Sequence, residues 1–109
     1  MAFWNREIET MPREDLEKMQ LSLLRRELRL MYDASPFIHD RLRSVNLLPE
    51  DVDSFDTFRK VPFMVKNDLR DSYPDKLFVR PYDDLVRVHV SSGTSGHPTV
   101  VGYTRKDLD

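Results

Sequence analysis

The sequence predicts an α+β chain in which helices come first and a β-hairpin follows. Proline and acidic residues open an amphipathic segment at Pro12, which is a usual way for a helix to begin. From residue 85, apolar and polar residues alternate with a period of two, which is typical of a strand. Two of the three glycines in the chain fall within the segment SSGTSGHPT, residues 91–99. We therefore predict a mainly helical part, residues 1–84, and a strand–loop–strand part that ends in the start of a truncated helix, residues 85–109.

The longest predicted helix runs from Pro12 to Asp33. At 100° per residue, its apolar side chains form an arc of roughly 200° around the helix. The arc consists of Leu16, Met19, Leu21, Leu23, Leu24, Leu28, Leu30, Met31 and Tyr32. A helix on a one-sided core needs a stripe of only about 100°. We therefore expect this helix to have neighbours on two sides.

Three shorter helices are predicted before the strands. Ser35 is a suitable N-cap for the first of them, and Asn46 can close it in the left-handed conformation. The other two lie in residues 53–62 and 66–74, and a proline ends each of them. Val65 is a poor N-cap for the last helix because its side chain accepts no hydrogen bond.

Two short strands are predicted near the end of the chain. In LVRVHV, residues 85–90, three valines alternate with an arginine and a histidine. The second β-prone run is TVVGY, residues 99–103. Thr104 and Asp107 then offer an incomplete capping box, which predicts the start of another helix.

Composition narrows the classes of function. The net charge is −2, so no basic excess indicates nucleic acid. The chain has no cysteine, which excludes disulfides and thiolate metal sites. No segment approaches the ~20 apolar residues of a membrane helix, and the first residues lack the pattern of a secretory signal. We expect a folded cytoplasmic protein that binds neither nucleic acid nor a membrane.

The loop between the predicted strands is rich in groups that bind anions. Its hydroxyl and glycine residues are Ser91, Ser92, Gly93, Thr94, Ser95 and Gly96. Successive backbone N–H groups can curl around phosphate oxygens, and hydroxyls add further donors. The glycine spacing fits neither the Walker loop nor the dinucleotide motif. A hairpin loop that uses glycine and proline only for turn geometry stays open as an alternative.

Four segments in order carry a resemblance to a known family: FWNREIETMPREDL, SPFIHDRL, VPFMVKNDLRDSYP and VRVHVSSGTSGHPTVVGYT. They resemble the AMP-forming acyl- and aryl-CoA synthetases, in the variant typical of phenylacetate–CoA ligases. The likeness covers nearly all of the chain. It implies that residues 1–109 are a single N-terminal piece of the large N-terminal domain of an adenylate-forming enzyme.

The resemblance also implies a reaction and its cofactors. In this family a carboxylate attacks the α-phosphate of Mg·ATP to give an acyl-adenylate and pyrophosphate, and coenzyme A then displaces AMP. The residues implied to bind the β- and γ-phosphates are Ser91, Ser92, Gly93, Thr94, Ser95, Gly96 and His97. The magnesium ligand, the small aryl-acid pocket and the catalytic residues would all lie outside this chain. We therefore expect these 109 residues alone to form no thioester.

Three residues depart from the family pattern. Ser95 stands where a threonine is usual, and Val65 where a helix-capping threonine is common. His97 stands where the family usually has lysine. Lysine is a fixed positive charge, whereas histidine is mostly neutral at pH 7. We therefore expect weaker and more pH-dependent ATP binding or loop closure.

Other conspicuous side chains are expected to have structural roles. We predict that His89 is structural or faces solvent, that His39 is exposed on its helix, and that Phe3 and Trp4 anchor the N-terminus by packing. No set of histidines and carboxylates has the spacing of metal ligands.

Three alternatives stay open at this stage. The first is a related AMP-forming ligase that acts on a different acid. The second is a small non-catalytic helical module that binds phosphate or a partner. The third concerns assembly: a homodimer could bury the broad apolar arc of the long helix.

Overall fold

The computed structural model describes residues 1–92 and 97–109 of the chain. The helices are α1 (Arg6–Glu9), α2 (Arg13–Ala34), α3 (Pro36–Arg43), α4 (Phe55–Phe58), α5 (Lys66–Ser72) and α6 (Arg105–Leu108). The strands are β1 (Leu85–Val90) and β2 (Val100–Thr104), and single 3-10 turns form at Pro49–Asp51 and Tyr82–Asp84. The predicted α+β arrangement is confirmed, with helices first and an antiparallel two-stranded hairpin after them.

Helix α2 begins and ends within one residue of its predicted bounds. Helix α3 and the turn Pro49–Asp51 pack against it. The part of its apolar arc that they bury is at the C-terminal end, where Leu28 and Tyr32 lie in the core. Leu23 is still 42% exposed. Near this end the helix also has neighbours on another side, where Leu30 lines a groove together with Val79, Arg80 and Thr104. Within the described residues, the expectation of neighbours on two sides is therefore met only at the C-terminal end.

The ends of α3 are capped as the sequence predicts. Ser35 Oγ accepts a hydrogen bond from the Ile38 N–H at 3.2 Å and donates one to the Lys76 carbonyl at 2.7 Å. At the other end Asn46 has φ of 54°, the left-handed conformation that closes a helix. The Leu47 N–H then reaches back to the Leu42 carbonyl at 3.0 Å. Both caps turn the chain back onto α2 and the core.

The core is small and lies between α2, α3 and the segment that follows α3. Its buried members are Leu28, Tyr32, Leu42, Leu47 and Val52, and Leu24, Met31, Ile38 and Val61 pack against them. Leu42 and Val52 are each only 1% exposed. The helical part of the chain is therefore held together by a few side chains around Leu42.

Helix α5 begins at Lys66 with a substitute for the missing cap. Val65 makes no side-chain capping bond, as predicted, but its N–H donates to Asp68 Oδ2 at 2.8 Å. The same carboxylate pairs with Arg41 of α3, Nη2 to Oδ1, at 3.1 Å. Asp68 thus satisfies the start of α5 and joins it to α3.

The hairpin pairs β1 with β2 in register from Arg87 opposite Tyr103 to Val90 opposite Val100, with an irregularity near Leu85. The predicted incomplete capping box follows it. The Thr104 N–H and hydroxyl both donate to Asp107 Oδ2, at 2.8 and 2.9 Å. These hydrogen bonds, the backbone one first, hold the pKa of Asp107 below its usual value.

Gly102 lies where a side chain would collide with the neighbours of the hairpin. A Cβ at this position would be 2.8 Å from Leu85 Cδ1 and 3.3 Å from Phe78 Cζ. We expect Gly102→Val to lower the free energy of unfolding by about 1 kcal/mol, at the low end for overpacking, because the atoms that must shift are the ends of the Leu85 and Phe78 side chains. Urea denaturation would measure it. The cost of Gly102→Val combined with Leu85→Ala should be smaller than the sum of the two single costs, and additive costs would contradict the proposed clash.

Two predictions about aromatic and histidine side chains are wrong. Trp4 is 93% exposed and Phe3 is 39% exposed, so neither anchors the N-terminus by burial. His39 is half-buried rather than exposed: its Nδ1–H donates to the Tyr32 carbonyl at 3.0 Å and its ring lies 4.2 Å from the Tyr32 ring. A helical pattern identifies the face on which a residue lies, but the packing of α3 against α2 decides which of these faces are covered.

The chain exposes more surface than a folded protein of its size usually does. Its accessible area is 8389 Å², whereas a compact monomer of this mass exposes roughly 6,300 Å². Its radius of gyration is 16.3 Å, against about 13 Å for a compact domain of this length. Part of the excess is apolar, since Val86, Val88 and Val90 are 48–60% exposed. No helix within residues 1–92 and 97–109 is long and apolar enough to cross a membrane.

Candidate functional site

The two strands bring together the ends of the loop that the sequence predicts to bind phosphate. Val90, the last residue of β1, lies opposite Val100, the first residue of β2. One step further out, the Ser91 N–H donates to the Thr99 carbonyl at 2.9 Å. The hairpin therefore fixes where the loop leaves the sheet and where it returns.

A pair of hydroxyl side chains closes the base of this loop. Ser91 Oγ and Thr99 Oγ1 are 2.6 Å apart, and the Thr99 N–H donates to Ser91 Oγ at 3.0 Å. Both residues are half-buried. Thr99 was missed as a site residue, although the hairpin register places it opposite Ser91. The sequence signal that could have identified Thr99 is a hydroxyl residue on each strand, one position beyond the last paired residues Val90 and Val100.

The remaining predicted site residues differ in what the structure describes. Ser92 and His97 lie on either side of the loop and are exposed to solvent. The predicted ligands Gly93, Thr94, Ser95 and Gly96 lie outside the described residues. The structure thus brings together the two ends of the predicted loop. Of its predicted site residues, Ser91 is hydrogen-bonded at the base of the loop, whereas Ser92 and His97 are exposed to solvent.

The strand face beside the loop carries His89. This residue is exposed and its ring lies 4.8 Å from the ring of Tyr103, tilted by 59°. Tyr103 lies diagonally across the hairpin, since His89 itself is opposite Val101. The solvent-facing position agrees with the prediction, and the stacking supports the structural role of this histidine.

Two groups elsewhere have clearly displaced pKa values. The Tyr82 hydroxyl donates to Asp75 Oδ1 at 2.6 Å, and this hydrogen bond raises the pKa of Tyr82. The other is Asp107, in the cap of α6. Both shifts arise from local turn and cap contacts outside the loop.

Among residues 1–92 and 97–109, no group of three or more histidines and carboxylates could hold a metal ion.

Solved structures of acyl-CoA ligases share this fold. The chain superposes on 2-hydroxyisobutyryl-CoA ligase in complex with 2-HIB-AMP and CoA with a TM-score of 0.85 and 30% identity, covering 96% of this chain and 23% of that chain. An open conformation of that ligase gives a TM-score of 0.83 with 28% identity. The chain therefore has the fold of the N-terminal part of an adenylate-forming ligase.

Sequence comparison narrows the class further. The chain is 43% identical over 102 residues to the phenylacetate–coenzyme A ligase of Thermus thermophilus, 42% to that of Pseudomonas putida and 39% to that of Escherichia coli. Each match covers 94% of this chain, which spans only 23% of the length of these curated relatives. The chain matches no protein-family model. The predicted resemblance to the phenylacetate–CoA ligases is thus confirmed over nearly the whole chain.

Proposed function

We propose that the chain supplies the ATP phosphate-binding loop of an AMP-forming phenylacetate–CoA ligase. The observation that carries the proposal is 39–43% identity over 102 residues to four proteins of that name. The hairpin geometry supports it, because β1 and β2 hold a loop rich in hydroxyls and glycines at their open end. The proposed reaction consumes ATP, an aryl acid and coenzyme A and releases AMP and pyrophosphate.

In this proposal the loop contributes to the first half-reaction. The carboxylate of the acid attacks the α-phosphate, and pyrophosphate leaves with the electron pair of the broken P–O bond. Hydroxyl and backbone N–H donors of Ser92 to Gly96 would hold the β- and γ-phosphates while negative charge develops on the leaving group. Donors positioned at such charge are among the larger contributions that a protein makes to phosphoryl transfer.

His97 would add a positive charge when its ring is protonated, which polyphosphate favours. Mg²⁺ would supply charge neutralisation on the phosphates of ATP when bound. The described residues of this chain offer no cluster of ligands for it, so the proposal assigns it no residue here. We also propose that the chain by itself forms no thioester, since it contributes binding donors and no assigned catalytic group.

A chimera tests the proposal. Residues 1–109 would replace the homologous segment of the Thermus thermophilus relative, which is 43% identical over 102 residues. We expect the chimera to retain phenylacetate-dependent exchange of labelled pyrophosphate into ATP. The matched control is the same relative with its own segment deleted, which should show no exchange. A chimera that is folded and binds phenylacetate but exchanges no pyrophosphate would contradict the proposed role.

The acid itself has a second candidate. The structural neighbours are structures of 2-hydroxyisobutyryl-CoA ligase, whose acyl group is an aliphatic hydroxy acid. Sequence identity to them, 27–30%, is lower than the 39–43% to the phenylacetate enzymes. This difference favours phenylacetate. A panel of aryl and aliphatic acids in the exchange assay, run on the protein encoded by the natural gene, would decide between them.

His97 gives a prediction for ATP use. In the chimera, His97→Lys should lower the KM for ATP by about 2–10-fold, because a fixed charge replaces one that depends on pH. Steady-state kinetics with varied ATP, at several pH values, would measure it. Ser44→Lys, which adds the same charge at the exposed end of α3, is the control and should leave the KM unchanged. An equal KM for chimera and His97→Lys at every pH would refute this role of His97.

A further inference from the structure

The hydrogen bonds between Ser91 and Thr99 differ from those of an ordinary backbone-paired position in an antiparallel sheet. In an antiparallel ladder, opposed residues alternate between pairs that exchange both backbone N–H···O bonds and pairs that exchange none. The bond between the Ser91 N–H and the Thr99 carbonyl places these two residues at a position of the first kind, where two backbone bonds are expected. Here the first bond is present, from the Ser91 N–H to the Thr99 carbonyl at 2.9 Å. The Thr99 N–H goes instead to the Ser91 hydroxyl, at 3.0 Å. A side chain has therefore taken the place of a backbone acceptor at the point where the loop leaves the sheet.

The contact between the two hydroxyls tightens this closure and leaves one proton available. Ser91 Oγ and Thr99 Oγ1 are 2.6 Å apart, so one hydroxyl donates to the other. Each hydroxyl has a single proton and two acceptor lone pairs. Whichever hydroxyl donates, the proton of the other stays free for a further acceptor. The pair thus ties the two ends of the loop together by a side-chain bond and still retains one O–H donor.

We propose that Ser91 and Thr99 are positioning residues. The hydrogen bond between their hydroxyls, here called the clasp, sets the separation of the loop ends so that Ser92 and His97 face the phosphates of a bound nucleotide. This inference rests on the proposed function of the loop. It divides the hydroxyls of the loop into two roles: Ser91 acts through its contact with Thr99, whereas Ser92, which is exposed, contacts the ligand. Thr99 joins the set of functional residues although it lies outside the predicted motif.

A double-mutant cycle in the chimera that carries residues 1–109 tests the clasp, with inorganic pyrophosphate as the probe. Isothermal titration calorimetry would give the dissociation constant of each variant. We expect Ser91→Ala and Thr99→Val each to weaken binding by about 5–20-fold, the size of one lost hydrogen bond to a partly buried group. The dissociation constant of the double variant should lie within about twofold of that of the weaker single variant, because both changes break the same contact.

Conservative variants separate positioning from general damage. Ser91→Thr and Thr99→Ser keep both hydroxyls and should bind within about threefold of the wild type. Ser44→Ala is the control for loss of a serine hydroxyl elsewhere and should leave pyrophosphate binding unchanged. The Ser44 hydroxyl donates to the Arg41 carbonyl at the exposed end of α3. Independent losses that multiply in the double variant would overturn the clasp and make each hydroxyl a separate ligand. Unchanged affinity in Ser91→Ala would also overturn it.

Failure of the proposed function would look different. If the chimera without these substitutions binds no pyrophosphate, the loop has no phosphate role and the positioning role falls with it. Hydrogen exchange of the Thr99 amide, measured without ligand, reports the clasp on its own: the wild type should protect this amide and Ser91→Ala should lose about tenfold in protection. Loss of protection together with normal pyrophosphate binding would show a clasp that does not position the loop, and would refute the proposal.

Discussion

Replacing Leu42 with alanine is expected to lower the free energy of unfolding by about 2–5 kcal/mol. The side chain is 1% exposed and lies at the centre of the cluster formed with Leu28, Tyr32, Leu47 and Val52. Truncation removes buried apolar surface and leaves a cavity whose walls relax only in part. Urea denaturation followed by circular dichroism would measure the change as a lower midpoint.

Leu48→Ala is the matched control for this substitution. It removes the same three carbons, but Leu48 is 47% exposed and lies next to the buried Leu47. Its cost should stay near or below about 1 kcal/mol, because about half of its surface is already in contact with water. If both variants lost the same stability, the cluster around Leu42 would not be the core of the chain.

The predicted size of the Leu42 effect follows from how little core the chain has. Five apolar residues are buried among residues 1–92 and 97–109. Domains are typically stable by only about 5–15 kcal/mol, so the loss of one buried leucine is a large fraction of the total. The extra exposed area, 8389 Å² against the roughly 6,300 Å² usual for this mass, points the same way. We therefore expect Leu42→Ala to unfold at a much lower urea concentration than the unsubstituted chain.

Local signals predicted the helices well because their causes are local. Ser35 caps α3 by accepting from an N–H three residues away, and Asn46 ends it by adopting a conformation of its own. The incomplete capping box of Thr104 and Asp107 likewise forms between residues three positions apart. Such bonds depend on neighbours in the sequence, so the sequence alone identifies them. The bounds of α2 and of both strands were right within one residue for the same reason.

Burial was predicted less well because it depends on distant parts of the chain. The apolar arc of α2 suggested neighbours on two sides, yet Leu23 stays 42% exposed. Trp4 is nearly free of contacts, while His39 is half-buried against Tyr32. The hydroxyls of the loop show the same limit: the sequence made Ser91 and Ser92 equivalent, and only the pairing of β1 with β2 distinguishes them.

The glycines of the loop give the second large effect. In the chimera, Gly93→Val and Gly96→Val should each reduce the rate of ATP–pyrophosphate exchange by at least about 100-fold, the cost of losing donors aimed at developing charge. Valine at either position restricts the backbone and brings a branched side chain to where phosphate oxygens should approach N–H groups. The exchange assay with phenylacetate would measure the loss at saturating ATP.

Gly102 provides the control that makes this result specific. The three glycines of the chain should separate into two classes under the same substitution. Gly93→Val and Gly96→Val should lose exchange while the midpoint of urea denaturation stays near that of the parent chimera. Gly102→Val should lower that midpoint, because its side chain meets Leu85 and Phe78, and should leave the exchange rate of the molecules that remain folded within a few-fold. If exchange survives at both loop positions, the loop holds no phosphate during adenylation, and its glycines serve only the turn between β1 and β2.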